Sequence, residues 1–342
     1  MARIPMRTVD ILVLFEHPEW QKPLFAALEA RGLAYAAFDL KEAAFDPAAL
    51  PDARVVFNQA SPSAYVRANG WAVPLALSLL RAYEAAGVPV VNGHRAFALE
   101  LSKAAQAALT RRLGLRAPRT LAFNHPDGLA RALARQAEPF PFPALLKPDQ
   151  GGSGARMHRV ADLEEVRALL TGDPSLWTPD PVLLLQELLP IDPERGVVRM
   201  ELLGGELLYA MRIVSHGAFN LCPSEVCHPA DGVDGACAAP APGERVEFHD
   251  EPHVPAEVVA MGRRLMAAGG LDLGGIEYAE VDGQPVFYDI NANSNLRPAI
   301  AEAHGFDPFE RVVAFLEARL EEAATGAARQ PSGAPRYASV AR

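Results

Sequence analysis

The chain has 342 residues, half of them apolar, and a formal net charge of −10. That length and apolar share support a globular protein of two or three packed units. The acidic balance argues against a nucleic-acid or membrane-surface partner as the main function, because either favours clustered positive charge. No apolar run reaches membrane-spanning length, and the start at Met1-Ala2-Arg3-Ile4-Pro5 leads into a strand rather than a signal peptide, so a cytoplasmic location is expected. Cys222, Cys227 and Cys237 share one polar stretch with His216 and His228. Their odd number fits a reducing compartment, and their spacing suits thiols in an ordered loop better than a zinc site.

In chain order, apolar runs at 9–15, 33–38, 55–58 and 88–92 alternate with helix-period segments at 23–31 and 71–86. This pattern predicts a parallel sheet with crossover helices, an N-terminal α/β domain over 1–93. Gly32 and Gly87 stand where left-handed helix caps belong. A linking helix over 103–113 follows, with Ser102 as N-cap and Gly114 as stop. Strands at 119–123, 142–147 and 155–160, with helices at 127–136 and 161–170, complete a smaller unit over 94–178. After a Pro-rich break, a third unit over 179–325 opens with a strand at 182–188 and continues through two hairpins and helices at 255–268 and 308–322. The Ala-, Gly-, Pro- and Arg-rich tail, 326–342, reads as frayed.

Four segments carry chemistry. The first is a strand ending in Lys147, then Gly151-Gly152-Ser153-Gly154, then another strand. Glycines let backbone N–H groups approach phosphate oxygens and the lysine fixes a positive charge, although an ordinary hairpin is the plainer reading. The second is the strand ending Gln186-Glu187-Leu188, whose backbone edge could meet an adenine, with Asp192 or Glu194 beyond it for ribose hydroxyls; an ordinary central strand with a charged end reads equally simply. In the third, a Gly204-Gly205 turn pairs Leu203 with Glu206, so Arg199 falls opposite Ala210 and Arg212 opposite Val197. Both guanidinium groups are then expected on one face, around a phosphoryl group or in solvent.

The fourth is a hairpin carrying Glu277, Asp289 and Asn291. Asp289 and Asn291 share a face, and an odd loop over Val281-Asp282-Gly283 is expected to bring Glu277 to it, whereas a two-residue Asp-Gly turn would place it opposite. Hard oxygen ligands so grouped suit a magnesium-bound polyphosphate; a solvated hairpin is the bland alternative.

In order and spacing, these segments resemble the ATP-grasp superfamily, in the branch of α-L-glutamate ligases and related amino-acid and peptide ligases. The resemblance runs from Val9 to Arg311 and implies a three-domain α/β (α+β) ATP-grasp fold with an N-terminal α/β pre-ATP-grasp domain. It also implies that Lys103 and Lys147 contact nucleotide phosphates beneath Gly151, Gly152, Ser153 and Gly154. Gln186, Glu187 and Leu188 would take the adenine and Asp192 or Glu194 the ribose. Glu277, Asp289 and Asn291 would hold a pair of magnesium ions, and Arg199, Arg212 and Arg297 would steady the phosphoryl group and a substrate carboxylate. The implied activity is an ATP-dependent carboxylate–amine ligase working through an acyl phosphate on small-molecule substrates, and relatives often pair as homodimers. An ATP-grasp kinase and a nucleotide-binding regulatory protein without turnover are the rivals; the joint presence of both lysines, both hairpin arginines and all three metal ligands disfavours the second.

The chain departs from that pattern twice. Its metal ligands run Glu, then Asp-x-Asn, where the family commonly has Asp, then Glu-x-Asn. The small Pro-Gly turn that usually follows is replaced by Ala292-Asn293-Ser294-Asn295-Leu296-Arg297-Pro298. Asn293 and Asn295 are therefore expected substrate-reading residues, as are Asn220 and Cys222 in the polar stretch after Arg212, for which an ordered surface insertion up to Pro255 is an equal alternative.

Overall fold

A computed structural model of the chain describes residues 9–152, 154–178, 180–216, 221 and 245–326. Ser153, Asn220, Cys222, Cys227, His228, Cys237 and most of the C-terminal tail lie outside these. The described residues form three sheets.

In the first sheet, β1 (Val9–Phe15), β2 (Tyr35–Asp39), β3 (Ala53–Gln59) and β4 (Val90–Val91) lie parallel in the order β2-β1-β3-β4. The helices α1 (Pro18–Ala30) and α2 (Ala72–Ala85) end at Gly32 and Gly87, both at positive φ as predicted. From β1 the chain departs to β2 on one side and β3 on the other. The crevice between the carboxyl ends of β1 and β3 is thus a topological switch point, where open α/β sheets bind ligands.

Two short helices follow, α3 (His94–Glu100) and α4 (Lys103–Arg112), the latter N-capped by Ser102, whose Oγ accepts from the Ala105 N–H. Before them Asn92, fully buried at φ +53°, links the first sheet to the third unit. Its Nδ2 donates to the carbonyls of Leu273 and Ala292, and its Oδ1 accepts from the N–H groups of Asp272 and Leu273.

The second sheet contains β5 (Thr120–Phe123), β6 (Ala144–Pro148), β7 (His158–Val160) and β8 (Leu183–Glu187), antiparallel in the order β5-β8-β6-β7. Its core joins Leu146 and Leu185 to Leu129 on α5 (Pro126–Ala134) and Val166 on α6 (Leu163–Gly172). The expected boundary at 178/179 is thereby corrected. The strand assigned to the opening of the third unit hydrogen-bonds between β5 and β6, because its run of Leu183, Leu184 and Leu185 is buried there.

The third sheet, antiparallel, is β11-β10-β9-β12-β13, formed from β9 (Val197–Leu203), β10 (Glu206–His216), β11 (Arg245–Asp250), β12 (Leu273–Val281) and β13 (Gln284–Asn291). One face packs Met200, Leu202 and Ile276 on Leu265 of α7 (Ala256–Gly269). The other packs Met211 and Ile213 with Ile300 of α8 (Pro298–Ala303) and Val313 of α9 (Pro308–Ala324), and that core continues into Ile11 and Leu28 of the first unit. Covered on both faces, β9 is buried at every residue, so a charge on it must find a partner inside the protein. No helix among the described residues is long and apolar enough to cross a membrane.

Candidate active site

The hairpin β12–β13 turns on two residues, Asp282 and Gly283, both at positive φ, with Val281 paired to Gln284. The expected odd loop is absent. A bulge at Tyr288 supplies the odd residue instead, shifting the register so that Glu277 faces Asp289 and Gly275 faces Asn291. The three oxygen-bearing side chains therefore share a face, as anticipated, by a different device. Tyr288, the extra residue, donates its hydroxyl to Glu277 Oε2 at 2.8 Å.

In the β9–β10 hairpin a bulge at Leu208 moves Arg199 opposite Met211 and Arg212 opposite Val198. This corrects the expected convergence, since a one-residue slip sends the two guanidinium groups to opposite faces. Arg212 lies on the α7 side, where its Nε donates to Glu251 Oε2 at 2.7 Å and its Nη1 to the Arg195 carbonyl at 2.8 Å. Arg297 also stands outside the cavity wall: its Cζ lies 4.3 Å from the Phe248 ring centroid, and its backbone N–H donates to the Tyr209 hydroxyl.

Arg199 is the arginine of the site. Met211, Arg199, Glu277 and Asp289 form one row across β10, β9, β12 and β13, with Glu201, Gly275 and Asn291 in the next. Its guanidinium donates to Glu201 Oε1 at 2.6 Å, Glu277 Oε1 at 2.8 Å and Ser294 Oγ at 3.2 Å. It lies over Gly275, where a Cβ would come within 2.2 Å of Nη2. Glu201 and Gly275 were missed in the sequence; a glycine inside a strand pattern, which marks close approach of another group, was the available signal for the second.

The two lysines enter from the second unit. Lys103 opens α4 and its Nζ contacts Asp289. Asp149, also unforeseen, fixes this helix end by accepting from Ser102 Oγ and the Ala104 N–H, both at 2.7 Å. Lys147, near the end of β6, donates to Gln186 Oε1 at 2.7 Å. Burial lowers its pKa to about 8, and Lys103 adds to the shift. The ammonium is thus charged below about pH 8 and neutral above it; on the expectation that Lys147 contacts a nucleotide phosphate, the apparent Kd for ADP should rise by up to about tenfold per pH unit above 8. Calorimetric titration with ADP across pH 7–10 checks this, and a flat profile would remove Lys147 from the phosphate site.

The glycine-rich loop leans on the first unit. Gln150 Nε2 donates to the Pro62 carbonyl at 3.1 Å, and a Cβ on Gly152 would sit 2.9 Å from Ser63 Cα. Gly152 holds φ +151°, so Gly152→Ala meets both a clash and strain. On the expectation that this loop covers nucleotide phosphates, that variant should bind ATP roughly tenfold more weakly, about 1.4 kcal/mol. Unchanged ATP affinity would show that the loop does not cover the nucleotide.

These groups surround one cavity of about 470 Å³, within the range of small-molecule sites. Gly151, Gly152, Gly154, Gln186, Glu187 and Leu188 line it, as do Asp192, Asn293 and Asn295; Glu194 does not, its backbone N–H serving instead to bond Asp192 Oδ1. Glu187 meets the wall with one carboxylate oxygen already accepting from the Arg119 N–H. Glu100 lines the cavity too, its carboxyl accepting from the Asn293 N–H, and burial raises its pKa to about 8.

Glu277, Asp289 and Asn291 fit a magnesium ion. Burial and then the facing Asp289 push the Glu277 carboxyl above its usual range, a repulsion that a cation relieves. Asn291 Nδ2 donates to the Gly275 carbonyl at 3.4 Å and to Glu277 Oε1 at 3.5 Å, so its amide oxygen is the atom available to an ion. Among the described residues no group of three or more His, Cys, Asp or Glu forms a complete metal cage. Two carboxylates and an amide that leave room for phosphate oxygens and water are the donor set of a nucleotide-bound magnesium.

No protein-family model and no curated protein matches the sequence. Solved structures do match along nearly the whole chain. The ATP-grasp ligase PsnB, complexed with a minimal precursor, is 20% identical with a TM-score of 0.60, covering 90% of this chain and 98% of that one. A RimK domain protein ATP-grasp from Sphaerobacter thermophilus DSM 20745 is 17% identical with a TM-score of 0.64, covering 90% and 98%. A D-alanine–D-alanine ligase from Bacillus anthracis is 14% identical with a TM-score of 0.63, covering 93% and 100%. With three sheets in this arrangement around one cavity, the chain has the ATP-grasp fold.

Proposed function

We propose that the protein is an ATP-dependent carboxylate–amine ligase. The observation that carries this is the convergence on one cavity of Lys103 and Lys147 from the second unit with Arg199, Glu277, Asp289 and Asn291 from the third. The likeness to solved ATP-grasp ligases supports the same reading.

In this reading Lys103 and Lys147 hold the phosphates, Gly151 to Gly154 cover them, and the strand end at Gln186 to Leu188 receives the adenine, with Asp192 near the ribose. Bound magnesium, held by Glu277, Asp289 and Asn291, would neutralise charge on the β- and γ-phosphates. The substrate carboxylate attacks the γ-phosphorus, the bond to the β-phosphate oxygen breaks, and ADP leaves. The amine nitrogen then attacks the acyl carbon, the bond from that carbon to the bridging oxygen breaks, and phosphate departs with that oxygen and takes up the proton the nitrogen loses. Positioning and charge stabilisation do most of the work, Arg199 and the two lysines countering the charge of the transferred phosphoryl group.

ADP release should require both an acid and an amine, and hydroxylamine should trap the activated acyl group as a hydroxamate. A screen of amino acids and dipeptides in combination identifies the pair. ADP release with a hydroxyl compound and no hydroxamate would replace this reading with a kinase.

A further inference from the structure

We infer that Lys103 is a built-in counter-ion of the metal site: its ammonium holds Asp289 against free divalent cations and yields it only when a polyphosphate takes the ammonium in exchange. Entry of the metal is thereby tied to entry of the nucleotide.

The carboxylates of this wall are already paired with cations. Glu201 and Glu277 share Arg199, and Asp289 contacts the Lys103 ammonium. A divalent ion that reaches Glu277 and Asp289 therefore competes with one of those two partners. The partners differ in how they are held. The Arg199 guanidinium is 3% exposed and spends its donors on Glu201, Glu277 and Ser294, so it cannot leave without stripping two buried carboxylates at once. Lys103 is paired with one carboxylate among the described residues, and that carboxylate's side chain is 23% exposed. Its charge rides on a flexible four-carbon stem. Lys103 is thus the exchangeable cation.

The course of the stem shows where the ammonium can go. A Cβ on Gly151 would come within 3.3 Å of Lys103 Cε, so the stem passes against the glycine-rich loop on its way to Asp289. The backbone from which it starts is fixed, because Asp149 accepts from Ser102 Oγ and from the Ala104 N–H. Only the side chain has to turn. The ammonium therefore lies between the loop on one side and the facing pair of Glu277 and Asp289 on the other. A polyphosphate under that loop gives it a second anion within reach, and Asp289 then faces the metal together with Glu277 and Asn291. No charge is left buried and unpaired before or after the exchange. The coupling is reciprocal: the factor by which nucleotide tightens the metal is the factor by which metal tightens the nucleotide.

The nucleotide half of this inference rests on the ligase reading; the comparison of free-metal binding does not. Manganese serves as the probe, its binding to the full chain followed at neutral pH by loss of the free-ion electron paramagnetic resonance signal, with and without ADP. Lys103→Met should bind manganese alone about tenfold or more tighter than the unaltered protein does, while Lys103→Arg, which keeps the charge, should not. Adding Asp289→Ala to Lys103→Met should remove the gain. ADP should raise manganese affinity by a smaller factor in Lys103→Met than in the unaltered protein. Lys103→Gln is a second neutral variant, and melting curves show which variants are folded. Equal free-manganese affinity in the folded neutral variants and the unaltered protein would overturn the inference. So would a gain that survives Asp289→Ala, an equal gain in Lys103→Arg, or an ADP effect undiminished in Lys103→Met. Failure of the unaltered protein to bind ADP with manganese present would instead overturn the ligase reading, leaving the free-manganese comparison to stand or fall by itself.

Discussion

Replacing Asp289 with alanine should abolish magnesium-dependent ADP release, by about a thousandfold or more, while thermal denaturation stays close to that of the unaltered protein. The size follows from what a metal ion supplies to phosphoryl transfer, several kcal/mol of charge stabilisation, at about 1.4 kcal/mol per tenfold. Asp289 faces Glu277 across the hairpin; burial pushes its carboxyl up, but the Lys103 ammonium beside it, with Lys147, outweighs that and holds it below the ordinary range, so it stays ionised at neutral pH. Glu277 cannot replace it, being raised by burial and already engaged with Arg199 and Tyr288. Stability survives because the substitution removes a carboxylate that repels Glu277, offsetting the partner lost by Lys103. Rate against magnesium concentration, beside a melting curve, decides the matter. Turnover at the normal rate in Asp289→Ala would remove the metal assignment, and recovery in Asp289→Asn at raised magnesium would show that the oxygen matters more than the charge.

The sequence made the elements legible but not the registers. The Gly204-Gly205 and Asp282-Gly283 turns can both be read from residues that tolerate positive φ, and both occur as two-residue turns. A bulge leaves no such mark, because Leu208 and Tyr288 are ordinary strand residues whose extra position is set by neighbouring strands. One bulge separates Arg212 from Arg199; the other rescues the pairing of Glu277 with Asp289. Parity counted from a turn holds only as far as the first bulge. Chain order misleads in the same way over β8, whose partners β5 and β6 precede the Pro-rich break. Asn92, Asp149 and Glu201 escaped notice because a polar residue between elements, or on a strand, looks solvated until the groups that bury it are known. Lys147 is marked by its place at a strand end before a glycine-rich loop, and Lys103 by the resemblance alone; both line the cavity.

Arg199→Met should be the most destabilising single change in the site, by about 3–5 kcal/mol, seen as a fall in melting temperature of roughly 5–10 °C. Arg199 is 3% exposed and stands between Glu201, at 0%, and Glu277, at 4%. Removing a guanidinium from between two buried carboxylates leaves both uncompensated, and the cost comes from those that remain rather than from the hydrogen bonds lost. Ser294, which donates to Glu201 and accepts from Arg199, would lose one of its two anchors, loosening the loop that carries Asn293. Arg199→Met with Glu201→Gln removes one charge of each sign, leaves Glu277 at its place in the row, and should recover much of the lost stability. It should recover none of the turnover, because the positive charge beside Glu277 is still gone. A double variant that melts like the unaltered protein yet releases no ADP separates the two duties of this arginine, balancing buried carboxylates and countering charge at the phosphoryl group. A single variant with undiminished melting temperature would show that Glu201 finds another partner, and an active double variant would show that the phosphoryl group does not depend on Arg199.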